Sequence, residues 1–240
     1  MSTVLHAVAH PDARPDFRRP GVGAVLVSTW RVGSPERQRA AVEAIRTTWE
    51  SREWPDLGLL SYSVYIGTDG DALLHHSQWT SEQAYEDFVR TYRSDRNAEI
   101  DAAVPGIERV VLHRYAPPYR SRVLDGPGAR ALPGALAVVE VDFEGPDQGR
   151  RKDWVDTVFT AMDGDAGKRP ARGGIAAHFH LSTDGTRVLN MAEWPSERAH
   201  AEWQADAPLD GAWARVHHYP GIAASRVRRY TPALSLSAGA

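Results

Sequence analysis

The sequence contains no cysteine, and this absence excludes several kinds of chemistry. Without a thiol the chain forms no disulfide, has no thiolate nucleophile and cannot hold zinc or an iron–sulfur cluster through sulfur. Lysine is scarce, since only Lys152 and Lys168 occur. The 28 basic residues against 31 acidic ones leave a net charge of −3. We therefore expect neither a nucleic-acid partner nor a membrane-surface partner.

Long apolar runs are also missing. No stretch approaches the roughly 18 residues of a membrane-spanning helix. The first residues lack a basic start followed by an apolar segment, so we expect no signal peptide and a cytoplasmic protein. No glycine-rich phosphate loop or dinucleotide fingerprint occurs, which argues against NAD and ATP and disfavours flavin. The sequence thus predicts a protein that works without a cofactor.

The sequence does contain a long internal repeat. Residues 66–88 read IGTDGDALLHHSQWTSEQAYEDF, and residues 181–203 read LSTDGTRVLNMAEWPSERAHAEW. The offset is constant, because Thr68 matches Thr183 and 183 − 68 = 115. It still holds where Arg114-Tyr115 matches Arg229-Tyr230. Solenoid repeats run about 20–50 residues, so a period of this length indicates a duplicated domain.

Local signals give the same element order in both halves. In the first half, the β-rich stretch 23–32 precedes Ser34-Pro35-Glu36, which is typical of a helix start. A strand then leads to Thr68-Asp69-Gly70, a hairpin turn sequence. A return strand ending at Trp79, a second helix and a last strand complete the order βαββαβ, the ferredoxin-like arrangement.

We therefore predict an α+β fold of two tandem ferredoxin-like (βαββαβ) domains that form an intrachain dimeric α/β barrel. The expected divisions are an N-terminal arm at 1–21, the first domain at 22–115, a proline-rich linker at 116–133, the second domain at 134–232 and a C-terminal tail at 233–240. This pseudo-dimer satisfies pairing within one chain and leaves a further homodimer open.

The strand–turn–strand ending in Trp, the Ser-Glu-x-Ala helix start and the final Pro-Gly-Ile strand resemble the antibiotic biosynthesis monooxygenase family of dimeric α+β barrels. The resemblance covers both halves. It implies a ferredoxin-like fold and, among its members, cofactor-free oxygenases that oxidise aromatic polyketides. Relatives with this fold degrade haem, isomerise lactones, cyclise polyketides or only bind, so the fold alone does not decide the function.

The resemblance also implies site residues. Family oxygenases carry an Asn four residues before the strand Trp; Asn190 and Trp194 match this pattern, whereas the first half has His75 and Trp79. The spacing places both side chains of each pair on one strand face. We expect Asn190 to hydrogen-bond a substrate oxygen and Trp194 to stack on rings or to donate its indole N–H. The second half is thus expected to keep the chemistry. Trp79 and Trp194 either act on the substrate or are core residues of the repeated fold.

Other candidates follow from residue type. His75 is either a catalytic base or a structural histidine. Tyr62 and Tyr65 either line an aromatic pocket or pack in the sheet. His178 and His180 share a strand face, either as metal ligands or as barrel-lining residues; no carboxylate stands at an obvious companion spacing, so we expect no metal.

The last candidates are arginines near the second helix of each half. Arg93, Arg96 and Arg215 either hold an anionic substrate oxygen, as in the family, or form a solvated helix face, which we favour. A helical histidine required by the haem-degrading branch is absent, since Phe88 and Trp203 stand in its place.

The expected partners are a small aromatic molecule and molecular oxygen. A polyketide cyclase or isomerase with a histidine base is the first alternative function, and a non-catalytic accessory protein of a biosynthetic pathway is the second. All three are compatible with the sequence.

Overall fold

The computed structural model describes residues 5–10, 15–124, 132–165, 173–206 and 211–239. The strands are β1 (Ala7–Ala9), β2 (Ala24–Arg31), β3 (Leu59–Gly67), β4 (Ala72–Trp79), β5 (Glu108–Tyr115), β6 (Arg120–Val123), β7 (Ala135–Phe143), β8 (Ala176–Leu181), β9 (Arg187–Trp194) and β10 (Ile222–Ala238). The helices are α1 (Pro35–Glu50), α2 (Glu82–Thr91), α3 (Arg93–Ala103), α4 (Gln148–Asp165), α5 (Glu197–Ala205) and α6 (Gly211–His217). Of the described helices, none has the length and apolar character needed to cross a membrane.

The chain divides into two compact units, one of residues 1–117 with 231–240 and one of residues 118–230. In the first unit the strand order is β5, β2, β4, β3 and the end of β10, with β1 beside β10. In the second it is the start of β10, β7, β9, β8 and β6. Pairings such as β2 with β4 and β7 with β9 are antiparallel. The predicted α+β class is confirmed, while closure of two sheets into one barrel stays a prediction.

Helix starts follow the sequence signals. Ser34 caps α1 by accepting a hydrogen bond from the Arg37 backbone N–H, with Pro35 as the first helical residue. Ser81 and Ser196 cap the equivalent helices α2 and α5 in the same way. The hairpin turns also match, because Gly70 has a φ of 77°, in the left-handed region that the Asp-Gly pair favours.

Three segments differ from the sequence-based expectation. Part of the predicted linker, Arg120–Val123, is strand β6 paired with β8, while residues 125–131 lie outside the described part. Most of the predicted tail belongs to β10 and is hydrogen-bonded to β3. Within the predicted arm, Ala7–Ala9 pairs with β10. Each strand depends on a partner far away in sequence, which local patterns do not reveal.

Each sheet buries one face under its own helices. In the first unit this face carries Leu26, Leu73 and Trp79, which pack with helix residues such as Ile45 and Phe88 in one core cluster. In the second unit the matching cluster contains Phe179, Val188 and Trp194 with Val155 and Phe159 of α4. Alternate residues of β4 and of β9 therefore pack against the helices of their own half in the same way.

A glycine before the first strand of each half lies against the end of the Trp-bearing strand. The backbone N–H of Gly134 donates to the Trp194 carbonyl at 3.0 Å, as Gly23 does to Trp79 at 2.8 Å. A Cβ on Gly134 would lie 2.3 Å from the carbonyl oxygen of Pro195. Only glycine fits this approach, since the obstacle is backbone.

We predict that Gly134→Ala lowers the free energy of unfolding by about 1–3 kcal/mol, because the added methyl group overpacks against a fixed carbonyl. Urea denaturation of the whole chain measures this change. Gly149→Ala is the matched control; its Cβ meets only the Asp147 carboxylate oxygen at 3.4 Å. Since alanine favours helix, this control should be neutral or stabilising. Equal stability of the two variants would contradict the close approach.

Candidate active site

His75 lies in the middle of the first unit's sheet. It is on β4, opposite Ser28 of β2 and Val64 of β3, and is 4% exposed. Its Nδ1 lies 2.7 Å from the hydroxyl oxygen of Tyr62, and the Trp30 ring centroid is 4.1 Å from that of the imidazole. Its Nε2 has no hydrogen-bond partner among the described residues. The ring is thus fixed on one side and open to a ligand on the other.

Burial sets the charge of this pair. Desolvation, with a contribution from the Arg109 cation, lowers the pKa of His75 to about 3. Burial raises the pKa of the Tyr62 phenol, so both groups are neutral over the physiological range. A base whose conjugate acid has a pKa of about 3 takes up a proton poorly at neutral pH. The geometry therefore favours hydrogen bonding over base catalysis at His75.

A cavity of about 260 Å³ lies beside His75. Aromatic side chains form much of its wall: Trp30, Trp49, Tyr62, Trp79, Tyr85 and Phe88. A cavity of about 150 Å³ can hold benzene, so this one has room for a larger ring system. Its volume is near the lower end for small-molecule sites, and its lining combines apolar walls with a few polar groups, as such sites do.

Arg96 of α3 is the cavity's buried cation, with 3% exposure. Its guanidinium carbon lies 4.7 Å from the ring centroid of Trp49, and Nη2 donates to the Glu53 carbonyl at 2.8 Å. Nε and Nη1 have no hydrogen-bond partner among the described residues. Desolvation, then repulsion by Arg52, lowers the pKa of Arg96. Two buried nitrogens without partners on a cation are costly, and an anionic ligand would satisfy their N–H donors.

Arg109 of β5 supplies a second positive charge. It forms a two-point ion pair with Asp101, with N···O distances of 3.0 and 3.1 Å, and its guanidinium carbon lies 4.5 Å from the Trp30 ring centroid. Arg93 also lines the cavity, whereas none of the lining residues is an aspartate or a glutamate. The lining therefore favours negative charge on a bound molecule.

The predicted second-half pair is placed elsewhere. Trp194 packs against the rings of His200 and Trp203 at centroid distances of 5.0 and 5.4 Å. Asn190 Oδ1 and Trp194 Nε1 are buried without a hydrogen-bond partner among the described residues. Neither residue lines the cavity, which is bordered instead by their first-half counterparts, His75 and Trp79. The Trp79 indole N–H is already bonded to Ser77 Oγ at 2.9 Å.

The duplication explains why the halves differ. In the alignment of the two halves, with an offset of 115, Tyr62 corresponds to Ala177, Arg96 to Gly211 and Arg109 to Ala224. The second half thus keeps the Asn and Trp of the motif and has none of these three polar groups at the matching positions. Aligning the two halves reveals this difference only when the cavity-lining positions are already known.

Four other candidates lie away from the cavity. Tyr65 alternates with Tyr62 on β3 and therefore points to the opposite sheet face. His178 and His180 are buried on β8, and Arg215 is exposed on α6. None of the four borders the cavity.

A carboxylate does lie near His178, although none stands at an obvious spacing in the sequence. Glu193 on the neighbouring strand β9 brings a carboxylate oxygen to 3.6 Å from His178 Nε2, and Ser121 Oγ lies 3.0 Å from its Nδ1. Cross-strand neighbours such as these have no fixed sequence spacing. Among the described residues, no group of three or more His, Asp or Glu could hold a metal ion.

One helix arginine differs from the sequence-based expectation, whereas Arg215 is exposed as expected. A solvated helix face was favoured for Arg96, yet the side chain is buried among aromatic rings. Arg109 and Trp30 were not singled out, because they are adjacent only through the pairing of β2 with β5. The signal that could have found Arg96 is its position in a segment rich in aromatic residues, three residues after a second cavity arginine, Arg93.

Comparison with known proteins gives a fold but no family by sequence. No protein-family model and no curated protein matches the chain. Among solved structures, an anthrone oxidase-like protein has a TM-score of 0.65 at 18% identity, covering 98% of this chain and 97% of that one. A provisionally named monooxygenase from Fusobacterium nucleatum has a TM-score of 0.55 at 9% identity, covering 92% and 98%.

The same fold is used for other chemistry. A mutant chlorite dismutase from Candidatus Nitrospira defluvii has a TM-score of 0.53 at 11% identity, covering 89% of this chain and 93% of that one. Identities this low establish a shared fold alone. The resemblance drawn from the sequence is thereby confirmed for the fold, and activity must be argued from the site.

We predict that His75 makes the protein less stable as the pH falls. Its folded pKa of about 3 is below the unfolded value near 6.5, so the unfolded chain takes up the proton first. The stability that the neutral imidazole contributes is complete above about pH 6.5 and is lost as the pH falls toward 3. Between pH 6 and 5 the wild type should lose about 1 kcal/mol more than His75→Asn.

Urea unfolding at several pH values measures this difference. His218→Asn removes an exposed imidazole and is the matched control, expected to follow the wild-type pH dependence. Parallel curves for the wild type and His75→Asn would contradict a neutral, buried His75.

Proposed function

We propose that this chain is a cofactor-independent monooxygenase that oxidises a phenol- or anthrone-like aromatic, of the kind found in polyketide antibiotic or secondary-metabolite biosynthesis, with molecular oxygen. The observation that carries the proposal is the aromatic cavity lined by Arg93, Arg96 and Arg109 and by no carboxylate. This combination suits a flat, electron-rich ring system that binds as its anion. The fold likeness to an anthrone oxidase-like protein is compatible with it.

The protein's task in such a reaction is to make the anion available. Triplet oxygen reacts slowly with closed-shell molecules, whereas a phenolate or enolate can transfer one electron to it. A cavity that carries positive charge lowers the pKa of a bound phenol or enol, because it stabilises the charged form. Arg96, with two nitrogens that have no partner among the described residues, is placed to hold the substrate oxygen on which this charge develops.

The chemistry balances without a cofactor. For an anthrone, the enol gives its proton to bulk water as it binds as the enolate; electron transfer to oxygen, carbon–oxygen bond formation and return of one proton from water then give a hydroperoxide. Loss of water from the peroxide leaves the quinone, so one oxygen atom enters the product and the other leaves as water. The aromatic walls hold the ring and exclude solvent, which keeps the substrate and oxygen in contact.

The cyclase or isomerase alternative needs a base that removes a proton from the bound substrate, whereas an oxygenase substrate that binds as its anion has already lost its proton to bulk water. His75 is the histidine that lines it, and its pKa of about 3 makes it a poor one. An accessory protein without catalysis requires only binding. Both alternatives are separated from the proposal by oxygen dependence and by product mass. Two predictions from the sequence remain part of the proposal: the barrel arrangement of the two halves and a further homodimer.

We predict that the chain converts an anthrone to its quinone in air and not under nitrogen, with one atom of 18O2 in the product. Arg96→Met should reduce kcat/KM about 10- to 100-fold, the usual range for a lost hydrogen bond to a charged group. Arg39→Met, which removes an exposed arginine of α1, is the matched control and should retain activity. Oxygen consumption and mass spectrometry measure both.

The outcomes separate the candidate functions. Turnover that continues without oxygen, or a product of unchanged mass, would indicate a cyclase or isomerase. Binding of the anthrone without turnover would indicate an accessory role. A thermal melt of Arg96→Met shows whether the variant is folded.

A further inference from the structure

We infer that Tyr62 is a positioning residue that fixes His75 in the tautomer with its proton on Nε2, so that His75 offers the cavity a hydrogen-bond donor. The ligand atom at this point is then an acceptor, a carbonyl or phenolate oxygen. The inference deepens the proposed function and rests on it for the identity of the ligand. The tautomer itself is a property of the free protein.

The hydrogen-bond donors and acceptors around His75 decide its tautomer. A neutral imidazole has one N–H and one bare nitrogen. The Tyr62 side chain is half-buried beside the cavity, and among the described residues its hydroxyl has one partner, His75 Nδ1 at 2.7 Å. If Nδ1 carried the proton, the hydroxyl would have to accept, and both its own O–H and the bare Nε2 would lack partners among the described residues. If the phenol donates to Nδ1, the imidazole proton is on Nε2, and Nε2–H is the one donor left for a ligand in the cavity.

The neighbouring groups support the same assignment. Two rings hold the imidazole in place, Trp30 at a centroid distance of 4.1 Å and Tyr62 at 5.9 Å. Tyr62 is in turn held by the Trp49 ring at 4.9 Å. The charged side chain that acts on His75 is Arg109, a cation, and no carboxylate lines the cavity to stabilise an imidazolium. The ring therefore stays neutral, and the phenol decides which nitrogen is protonated.

This assignment determines which substrates fit. With Nε2–H, His75 joins Arg96 and Arg109 as a donor group, so the polar side of the cavity recognises oxygen atoms that carry negative charge. A phenol that remains protonated accepts this hydrogen bond less strongly than a phenolate does, because its oxygen carries no charge. His75 then supports the substrate anion by hydrogen bonding and does not remove its proton.

Nitrogen-15 NMR of the wild-type protein tests the tautomer directly. The histidine side-chain spectrum should show His75 with a protonated Nε2 and a bare Nδ1, unchanged from pH 8 to 5. The spectrum of His75→Gln identifies which signals are lost. A protonated Nδ1, or an imidazolium at pH 6, would overturn the inference. No turnover is needed, so this result is independent of the oxygenase activity.

Removing the phenol hydroxyl tests the positioning role. Tyr62→Phe keeps the ring that contacts Trp49 and His75, and should release the tautomer so that the NMR signals shift. Its affinity for the 2-naphtholate anion, followed by absorbance at a pH where naphthol is ionised, should fall about 2- to 10-fold, as for one neutral hydrogen bond. Tyr119→Phe, at an exposed tyrosine, is the matched control.

Affinity for naphthalene, which has no oxygen, separates positioning from packing. Tyr62→Phe should leave naphthalene binding unchanged, whereas damaged packing would weaken both ligands equally. Unchanged tautomer signals and unchanged naphtholate binding in Tyr62→Phe would refute the role of Tyr62. If naphtholate binds but no anthrone is oxidised, the proposed oxygenase fails and the tautomer assignment stands.

Discussion

The unpaired guanidinium of Arg96 is the constraint on which the candidate site depends. A buried cation without a carboxylate is expensive, and removing solvent from it lowers its pKa. The Trp49 ring and one backbone carbonyl compensate for part of this cost, and the nitrogens Nε and Nη1 have no partner among the described residues. A domain selected for stability alone would place an apolar residue here. The charge makes sense if an anionic ligand completes the set of contacts.

The fold brings this cation to the strand motif through a helix that the ferredoxin-like plan does not require. In the first half, α2 ends at Thr91 and α3 begins at Arg93, so the chain turns and places Arg96 over the cavity. β4 contributes His75 and Trp79 from the middle of the sheet. The strands thus position the hydrogen-bonding groups of the cavity, and the short extra helix supplies its charge.

The sequence predicted features that depend on contacts between nearby residues and did not predict those that depend on distant ones. The caps at Ser34, Ser81 and Ser196, the Asp-Gly turns and the element order rest on neighbours within a few residues, and these predictions hold. Strand β6 and the end of β10 require distant partners, as does the approach of Arg109 to Trp30. The Asn–Trp spacing predicted a site in the second half. A motif of two residues does not predict whether the fold leaves a cavity beside them.

The two halves also show why a histidine in place of the motif's asparagine needs a companion. An amide such as Asn190 always carries both a donor and an acceptor and can present its N–H by rotation alone. A neutral imidazole carries its single proton on one of two nitrogens, so its use as a donor requires a second group to choose between them. Tyr62 stands beside His75, and Ala177 occupies the matching place near Asn190. The pair in the first half is therefore best understood as one functional unit, in which the phenol gives the imidazole the donor property that an amide has by itself.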